Sequence, residues 1–295
     1  MKVWVIVRAR HRRRPTVLRE WLSPWPIRDA GAKGARRASG ARNLQNMKSE
    51  ATHRAGSLLA RLLATLVVVQ AGRLIHIYRS VDANKQYWER RASLPSQPGD
   101  FVYVALGDSV ANGIGASRPQ NGYVGLVARR IHDRTGRGVR VINVSVTGAT
   151  TADVVREQLP KIQGVRPDLV TLDIGANDVN RRVRDDVLLR DFTTILDALP
   201  ERTTIVADLP TFKRGPKQST LLRLNAEIRD RVEARGMRLA PIFDVTSSTM
   251  GDWRTYGADL FHPSNRGHRN WYRAFVTQVD AVLSSEVATL QDHSE

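Results

Sequence analysis

Residues 101–285 alternate between short apolar runs and longer segments in which apolar residues recur every three or four positions. The first pattern is typical of strands buried in a parallel sheet, and the second of amphipathic helices. The pattern predicts strands at Phe101–Leu106, Val139–Val146, Leu169–Ile174, Thr204–Leu209 and Met237–Val245. It predicts helices at Tyr123–Arg134, Thr151–Ile162, Asp185–Leu199 and Lys217–Arg235, and a last helix from Ser264 onward.

Strict alternation of strands and helices predicts an α/β fold, a three-layer α/β/α sandwich around a five-stranded parallel sheet. Because crossover connections are right-handed, only a few doubly wound topologies remain, and we expect the strand order 2-1-3-4-5. In such sheets, ligands bind at the carboxyl ends of the strands. The loops that follow the strands are therefore the places to search for chemistry.

The rest of the chain lacks this alternation, and we expect it to divide into separate regions. The predicted regions are a basic disordered region at 1–55, an apolar helix at 56–79, a linker at 80–100, the compact domain at 101–285 and a tail at 286–295. Met47 immediately precedes the apolar helix, so a native start at Met47 is an alternative to Met1.

The net charge of +17 is concentrated in the first hundred residues. Residues 1–100 hold 20 Lys or Arg and 6 Asp or Glu, whereas residues 101–295 hold 26 and 23. The compact domain is therefore nearly balanced, and we expect no nucleic-acid partner for it. The chain has no cysteine, which excludes disulfides, cysteine-ligated zinc and thiol catalysis.

Residues 56–79 contain the stretch Leu62–Val69, which is apolar except for Thr65 and is shorter than the roughly 20 apolar residues of a spanning helix. Three interpretations remain open: a membrane anchor or interfacial helix, a signal peptide counted from Met47, and a soluble helix docked on the domain. The first two predict a membrane-associated or exported protein, with a membrane surface as partner. The third predicts a cytoplasmic one.

Four of the loops that follow predicted strands carry candidate functional residues. Ser109 follows the first strand after Gly107, Gly148 follows the second, and Asn177 follows the third. Asp259 and His262 lie three residues apart before the last helix, a spacing at which a carboxylate can orient an imidazole. Taken singly, each has a structural explanation: a helix cap, a glycine turn, an Asn turn or a capping histidine.

Together, in this order and spacing, the four blocks resemble the SGNH hydrolase superfamily, also called GDSL-like esterases and lipases. The resemblance covers residues 101–285, with Val110 where the family often has leucine. It implies a flavodoxin-like fold without a metal or organic cofactor. It also implies a catalytic triad of Ser109, His262 and Asp259, and an oxyanion hole built from Ser109, Gly148 and Asn177.

The resemblance predicts a serine esterase that hydrolyses acyl esters of lipids, carbohydrates or small molecules. Two alternatives stay open: an acyltransferase that uses the same site, and a binding module that keeps the fold without activity. Three aspartates close to these positions in the sequence are given structural roles. Asp108 and Asp178 are interpreted as turn-stabilising residues, and Asp173, within the third strand, needs a hydrogen-bond partner if it is buried.

Overall fold

A computed structural model of the protein describes residues 32–212 and 218–292. It contains two compact units, Met1–Ala64 and Thr65–Glu295. Part of the predicted disordered region, residues 1–31, lies outside the described residues, as do residues 213–217 and 293–295. Helix α1 (Ala32–Ala92) includes residues 32–55 of that region and most of the segment interpreted as a linker.

The second unit is built on a five-stranded sheet in which every pairing is parallel. The order β2-β1-β3-β4-β5 confirms the predicted topology. The apolar run of the central strand is buried on both faces, as the absence of polar positions in it predicted. The strands are β1 (Phe101–Gly107), β2 (Val139–Asn143), β3 (Leu169–Asp173), β4 (Thr204–Ala207) and β5 (Arg238–Ala240).

Helices cover both faces of this sheet. One apolar cluster joins Tyr103 of β1 to the end of α1 and to α2 and α8, and the other joins Leu106 of β1 to α5 and α6. The two clusters lie on opposite faces because successive side chains of a strand point in opposite directions. The helices after α1 are α2 (Tyr123–Thr135), α3 (Thr151–Asp153), α4 (Ala176–Asn180), α5 (Asp185–Asp197), α6 (Gln218–Glu233), α7 (Ile242–Thr249) and α8 (Asn265–Asp292).

Three predicted elements differ from the structure. The helix predicted over Thr151–Ile162 is one α turn followed by a π turn and a 3-10 turn that contains Pro160. The fifth strand ends at Ala240, because Pro241 interrupts it and α7 follows. The last helix continues to Asp292, through most of the segment predicted as a tail.

The C-terminal part of α1 packs against the sheet unit. Ile77, Ser80, Asn84 and Trp88 are buried, and they recur every three or four residues along one face of the helix. Trp88 joins the core cluster that contains Phe101. The polar residues Ser80 and Asn84 conceal this stripe in the sequence, so the segment resembles a linker until its contacts are seen.

Farther toward its N-terminus, α1 is apolar and exposed. Of the described helices, one stretch, Leu59–Ala92, is long and apolar enough to cross a membrane. Its most apolar 18-residue window has a mean hydropathy of 1.4, and 6% of that window is buried. Signal sequences and buried helices of soluble proteins meet the same length and composition criterion.

Candidate active site

Ser109 lies in the turn that leaves the central strand at its carboxyl end. The preceding Gly107 has a φ of 147°, and a side chain on it would overlap the carbonyl oxygen of Asp173 on the neighbouring strand. Only glycine therefore lets β1 and β3 run side by side to this point and still turn sharply. The loop of residues 108–115 begins here; we call it the nucleophile loop after the role predicted for Ser109, which is largely buried in it.

Several distant elements hold the nucleophile loop. Asn84 and Trp88 of α1 both donate to the carbonyl oxygen of Asn112, at 3.0 and 3.1 Å. The Nε2 atom of His268 on α8 donates to Ile114 O at 3.0 Å. Burial lowers the pKa of His268 to about 4, so this imidazole is neutral at physiological pH.

His262 lies on a second loop, residues 256–263, which we call the acid–base loop after the role predicted for this histidine. Its Nε2 atom is 3.0 Å from Ser109 Oγ, and its Nδ1 atom is 2.6 Å from Asp259 Oδ2. An ionised carboxylate accepts hydrogen bonds only, so the proton on this ring lies at Nδ1 and leaves Nε2 to accept from the serine hydroxyl. The three predicted residues Ser109, Asp259 and His262 are thus in one continuous chain of hydrogen bonds.

The carboxylate of Asp259 is positioned from within its own loop. Its Oδ1 atom accepts from the backbone N–H groups of Phe261 and His262, at 3.1 and 3.0 Å. Burial by itself raises the pKa of Asp259. The hydrogen bonds from the His262 ring and from these backbone donors lower the pKa by more than burial raises it, so it lies below its ordinary value. Asp259 is therefore ionised at neutral pH.

The glycine and asparagine loops meet beside Ser109. Asn177 Nδ2 donates to Ala149 O at 2.9 Å, next to Gly148, and to Asp108 Oδ2 at 3.0 Å. Both amide hydrogens of Asn177 are therefore used within the protein. Gly148 has a φ of 82°, which favours glycine, and its carbonyl oxygen accepts from Arg181 at 2.7 Å.

Ser109 and Asn177 both line a cavity of about 540 Å³. Its opposite walls come from the segment after β4, from α7 and α8, and from the acid–base loop. The large side chains in these walls are Phe212, Tyr256, Leu260, Phe261 and Trp271. A mostly apolar cavity with a few polar groups at one end is typical of a small-molecule site.

Buried carboxyl groups lie near Ser109, and the sequence predicted their contacts only in part. Asp173 accepts from Trp271 Nε1 at 3.0 Å, which supplies the partner that its place in β3 required. Burial raises the pKa of Asp173 well above its usual range and that of Asp108 to about 6. Trp271 lies on α8, and nothing in the sequence linked it to Asp173.

The two aspartates interpreted as turn residues make longer-range contacts as well. Asp108 accepts from Val110 N at 2.9 Å, a local turn bond, but its other oxygen holds Asn177. Asp178 accepts from the backbone and hydroxyl of Thr151, at 3.0 and 2.7 Å, and so joins the third loop to the second. Within residues 32–212 and 218–292, no group of three or more metal-ligating side chains lies together.

This arrangement can be compared with known proteins. A sequence model of the GDSL-like lipase/acylhydrolase family matches residues 105–269, more than half of the chain. The protein belongs to this family. The match confirms the resemblance found in the sequence, and this GDSL-like protein is a carboxylic ester hydrolase.

Curated relatives include two esterases. GDSL-like esterase Rv1075c of Mycobacterium tuberculosis is 26% identical over 245 residues, which cover 76% of this chain and 72% of the relative. Esterase TesA of Pseudomonas aeruginosa is 31% identical over 85 residues, 29% of this chain and 41% of TesA.

Solved structures of the same architecture include a lipase/acylhydrolase from Enterococcus faecalis, with a TM-score of 0.53 and 20% identity. That alignment covers 61% of this chain and 96% of the bacterial one. A crystal structure of TesA aligns with a TM-score of 0.52 at 20% identity, over 61% of this chain and 99% of TesA. At these identities the likeness establishes the fold.

Proposed function

We propose that this GDSL-like esterase hydrolyses acyl esters with Ser109 as nucleophile, His262 as general base and then acid, and Asp259 as the group that orients the imidazole. The observation that supports this most is the 3.0 Å separation between His262 Nε2 and Ser109 Oγ. A serine hydroxyl is a weak nucleophile until a base within hydrogen-bond reach takes its proton. The 2.6 Å bond to Asp259 stabilises the imidazolium that then forms.

In the first half of the reaction, Ser109 Oγ bonds to the ester carbonyl carbon and its proton passes to His262. Collapse of the tetrahedral intermediate releases the alcohol, which takes that proton, and leaves an acyl-serine. Water then attacks the acyl group with His262 again acting as base, and the carboxylic acid departs.

The negative oxygen of the intermediate needs donors, and we propose the backbone N–H groups of Ser109 and Gly148 together with the amide of Asn177. Since both hydrogens of that amide already bind Asp108 and Ala149, one of them must exchange its partner for the oxyanion. The interaction then exists in the transition state more than in the resting enzyme, which is the condition for raising kcat.

The test is covalent labelling by a fluorophosphonate, followed by turnover of nitrophenyl butyrate. Ser109→Ala should lose both labelling and turnover while keeping the unfolding midpoint of the native protein. Ser248→Ala removes an exposed hydroxyl that bonds only within α7, and it should retain both. Turnover that survives in Ser109→Ala would remove this serine from the mechanism.

A second arm tests the oxyanion assignment. Asn177→Ala should lower kcat by about 10²–10³ with a smaller change in KM, as expected for a donor that acts in the transition state. A rise in KM at constant kcat would instead assign Asn177 to substrate binding in the ground state.

We also propose that α1 holds the enzyme at a membrane, as an anchor or an uncleaved signal-like helix. Its exposed apolar stretch supports this. Flotation with phosphatidylcholine vesicles is the test: the full chain should float, and replacement of Leu66, Val67 and Val68 by serine should keep it in the dense fraction. A triple variant that still floats would place the attachment elsewhere.

A further inference from the structure

The direction of α1 relates its exposed end to the active site. Near the C-terminus of the helix, Arg91 donates to the carbonyl of Val139, the first residue of β2. Ile77, about four turns earlier, lies against Gly257 of the acid–base loop. At 1.5 Å per residue, these 14 residues span about 21 Å, close to the length of a seven-residue strand. Helix α1 thus runs from the active-site edge of the sheet to the opposite edge.

The part of α1 that precedes Ile77 therefore projects beyond the active-site edge. Leu66 lies 11 residues before Ile77, about 16 Å farther along the helix axis. The consecutive residues Leu66–Val69 are all apolar, and each is 49–70% exposed. Successive residues of a helix point about 100° apart, so these four side chains cover all of its sides.

A second exposed apolar group lies on the chain segments that line the cavity. Leu260 and Phe261 line it and are 63% and 55% exposed. Trp253 and Met250 lie between the lining residues Thr249 and Thr255, and they are 66% and 36% exposed. We call these four residues, Met250, Trp253, Leu260 and Phe261, the apolar rim.

Leu260 adds an observation about the rim. Its φ is 55°, a left-handed backbone conformation that costs a residue with a side chain about 1–2 kcal/mol, yet most of its side chain is exposed. In water most of this side chain stays exposed, so little apolar burial offsets the cost. In contact with an apolar phase it would bury its side chain.

We propose that the mouth of the active site faces a lipid surface, with the apolar rim inserted among the lipids and the projecting part of α1 beside it. The inference rests on the proposed ester hydrolysis and deepens it, because it assigns the substrate class. The substrate is an amphiphilic ester that resides in a lipid layer and enters the cavity between the rim residues.

The lipid surface fits these features better than a protein partner does. A protein groove covers one side of a helix and leaves a polar side to water, whereas Leu66–Val69 have apolar side chains in every direction. A bilayer surrounds a helix completely. Two rim residues, Leu260 and Phe261, lie on the same loop that Ile77 contacts, so one apolar phase reaches both the rim and α1.

The first experiment measures which edge of the domain faces the lipid surface, and it does not depend on enzyme activity. The chain has no cysteine, so a single introduced cysteine carries an NBD fluorophore at one position. Trp253→Cys places the label on the rim. Leu94→Cys, the matched control, places it on an exposed apolar residue between α1 and the first residue of β1, at the far edge of the sheet.

With phosphatidylcholine vesicles that contain a bromolipid quencher, the label at residue 253 should shift to the blue and lose fluorescence. The label at residue 94 should stay in its aqueous state. Equal responses at the two positions, a response at residue 94 alone, or no response at either would overturn the proposed orientation.

The second experiment measures substrate class. Trp253→Ser should lower the hydrolysis of nitrophenyl palmitate embedded in vesicles about tenfold, and leave the hydrolysis of dissolved nitrophenyl acetate unchanged. Leu94→Ser should change neither. A native enzyme without activity on the dissolved ester would defeat the proposed function, while the fluorescence result would still decide the orientation.

A protein partner or a second copy is the competing occupant, and the same variant distinguishes it. If the rim joins two copies, Trp253→Ser should convert a concentration-dependent dimer into a monomer in sedimentation and leave vesicle-borne hydrolysis intact. That outcome would overturn the lipid assignment.

Discussion

The two loops that meet at the candidate active site are held in different ways. The nucleophile loop is buried and bonded to residues far away in the sequence: Asn84 and Trp88 on α1 and His268 on α8. The acid–base loop is bonded mainly to itself, through Asp259 and through the 2.7 Å bond from Gly257 N to His262 O. Two of its side chains, Leu260 and Phe261, are more than half exposed.

Because of this difference, Ser109 is held more rigidly to the domain than His262 and Asp259 are. Long-range contacts tie the serine to the folding of the whole domain, so it is lost only when the domain unfolds. Local contacts hold the histidine and the aspartate together as one unit, which can shift relative to the serine without global unfolding. The separation between the nucleophile loop and the acid–base loop then depends on a few close contacts, such as the one at Gly115.

The largest effect should come from disrupting the local unit. Asp259→Asn keeps the shape but not the charge, and its amide can stabilise the wrong imidazole tautomer, so kcat should fall about 10⁴-fold. Steady-state turnover of a dissolved nitrophenyl ester measures this. Asp252→Asn, which breaks an ion pair to Arg266 in the adjacent segment, should change kcat less than about fivefold. Similar losses in the two variants would refute the assigned role of Asp259.

The next effect should come from the point where the loops touch. Gly115 has a φ of 88°, and a side chain there would overlap Pro263 O and lie 3.0 Å from His262 Cβ. Gly115→Ala should push the acid–base loop away from Ser109 and lower kcat about 100-fold, since misplacement by about 1 Å has that consequence.

Gly136→Ala is the control for Gly115→Ala, because Gly136 has a φ of 68° and open space around it. Both variants carry the left-handed backbone penalty, and only one moves the loops. If the two variants lose kcat equally, contact between the loops at Gly115 is not what sets their separation.

His268 tests the long-range attachment through pH. Its pKa is about 4 in the folded protein against 6.5 when unfolded, so between these values the unfolded chain binds the proton and the folded protein does not. Its contribution to stability is complete above pH 6.5 and is lost as the pH falls toward 4, by about 3 kcal/mol.

In His268→Gln this titration is absent, so the difference in unfolding free energy between the native protein and the variant should shrink by that amount from pH 7 to pH 4. Urea unfolding at several pH values measures it, and the buried carboxyl groups cancel because both proteins have them. If the difference in unfolding free energy between the two proteins did not change with pH, protonation of His268 would not destabilise the folded protein.

The smallest effect should be found at Leu260. Glycine accepts a φ of 55° freely but adds entropy to the unfolded chain, so Leu260→Gly should raise the unfolding free energy in lipid-free buffer by up to about 1 kcal/mol. Leu222→Gly, at an exposed position inside α6, should lower it by about 1 kcal/mol. Thermal unfolding distinguishes the two signs. Destabilisation by Leu260→Gly would mean that the leucine already makes favourable contacts in water.

Sequence patterns were sufficient to predict the strand order and the loops that meet at Ser109. Apolar runs identify buried strands, and the topology of a parallel sheet brings their carboxyl ends together. Sequence patterns failed where polar residues are buried and where an apolar run belongs to two different elements. Ser80 and Asn84 are polar residues on a buried helix face, and the apolar residues after Pro241 continue the pattern of β5 although they begin α7.

The contacts of Asp173 and Asn177 also required coordinates. A pattern can indicate that a buried carboxyl needs a donor, but it cannot identify Trp271, which lies 98 residues away in the sequence. The double use of the Asn177 amide depends on the positions of two other loops. Such pairings are properties of the assembled site, and spacing in the sequence carries no information about them.

The attachment of Asn84 and Trp88 to Asn112 has a consequence for processing of the chain. A protease that cut near Ala71 would release the projecting apolar residues and leave the buried stripe from Ile77 to Trp88 in place. The remaining enzyme would diffuse freely with its serine loop intact. A cut near Phe101 would instead remove two donors from the serine loop, so the smallest self-sufficient form of this esterase begins before Ile77.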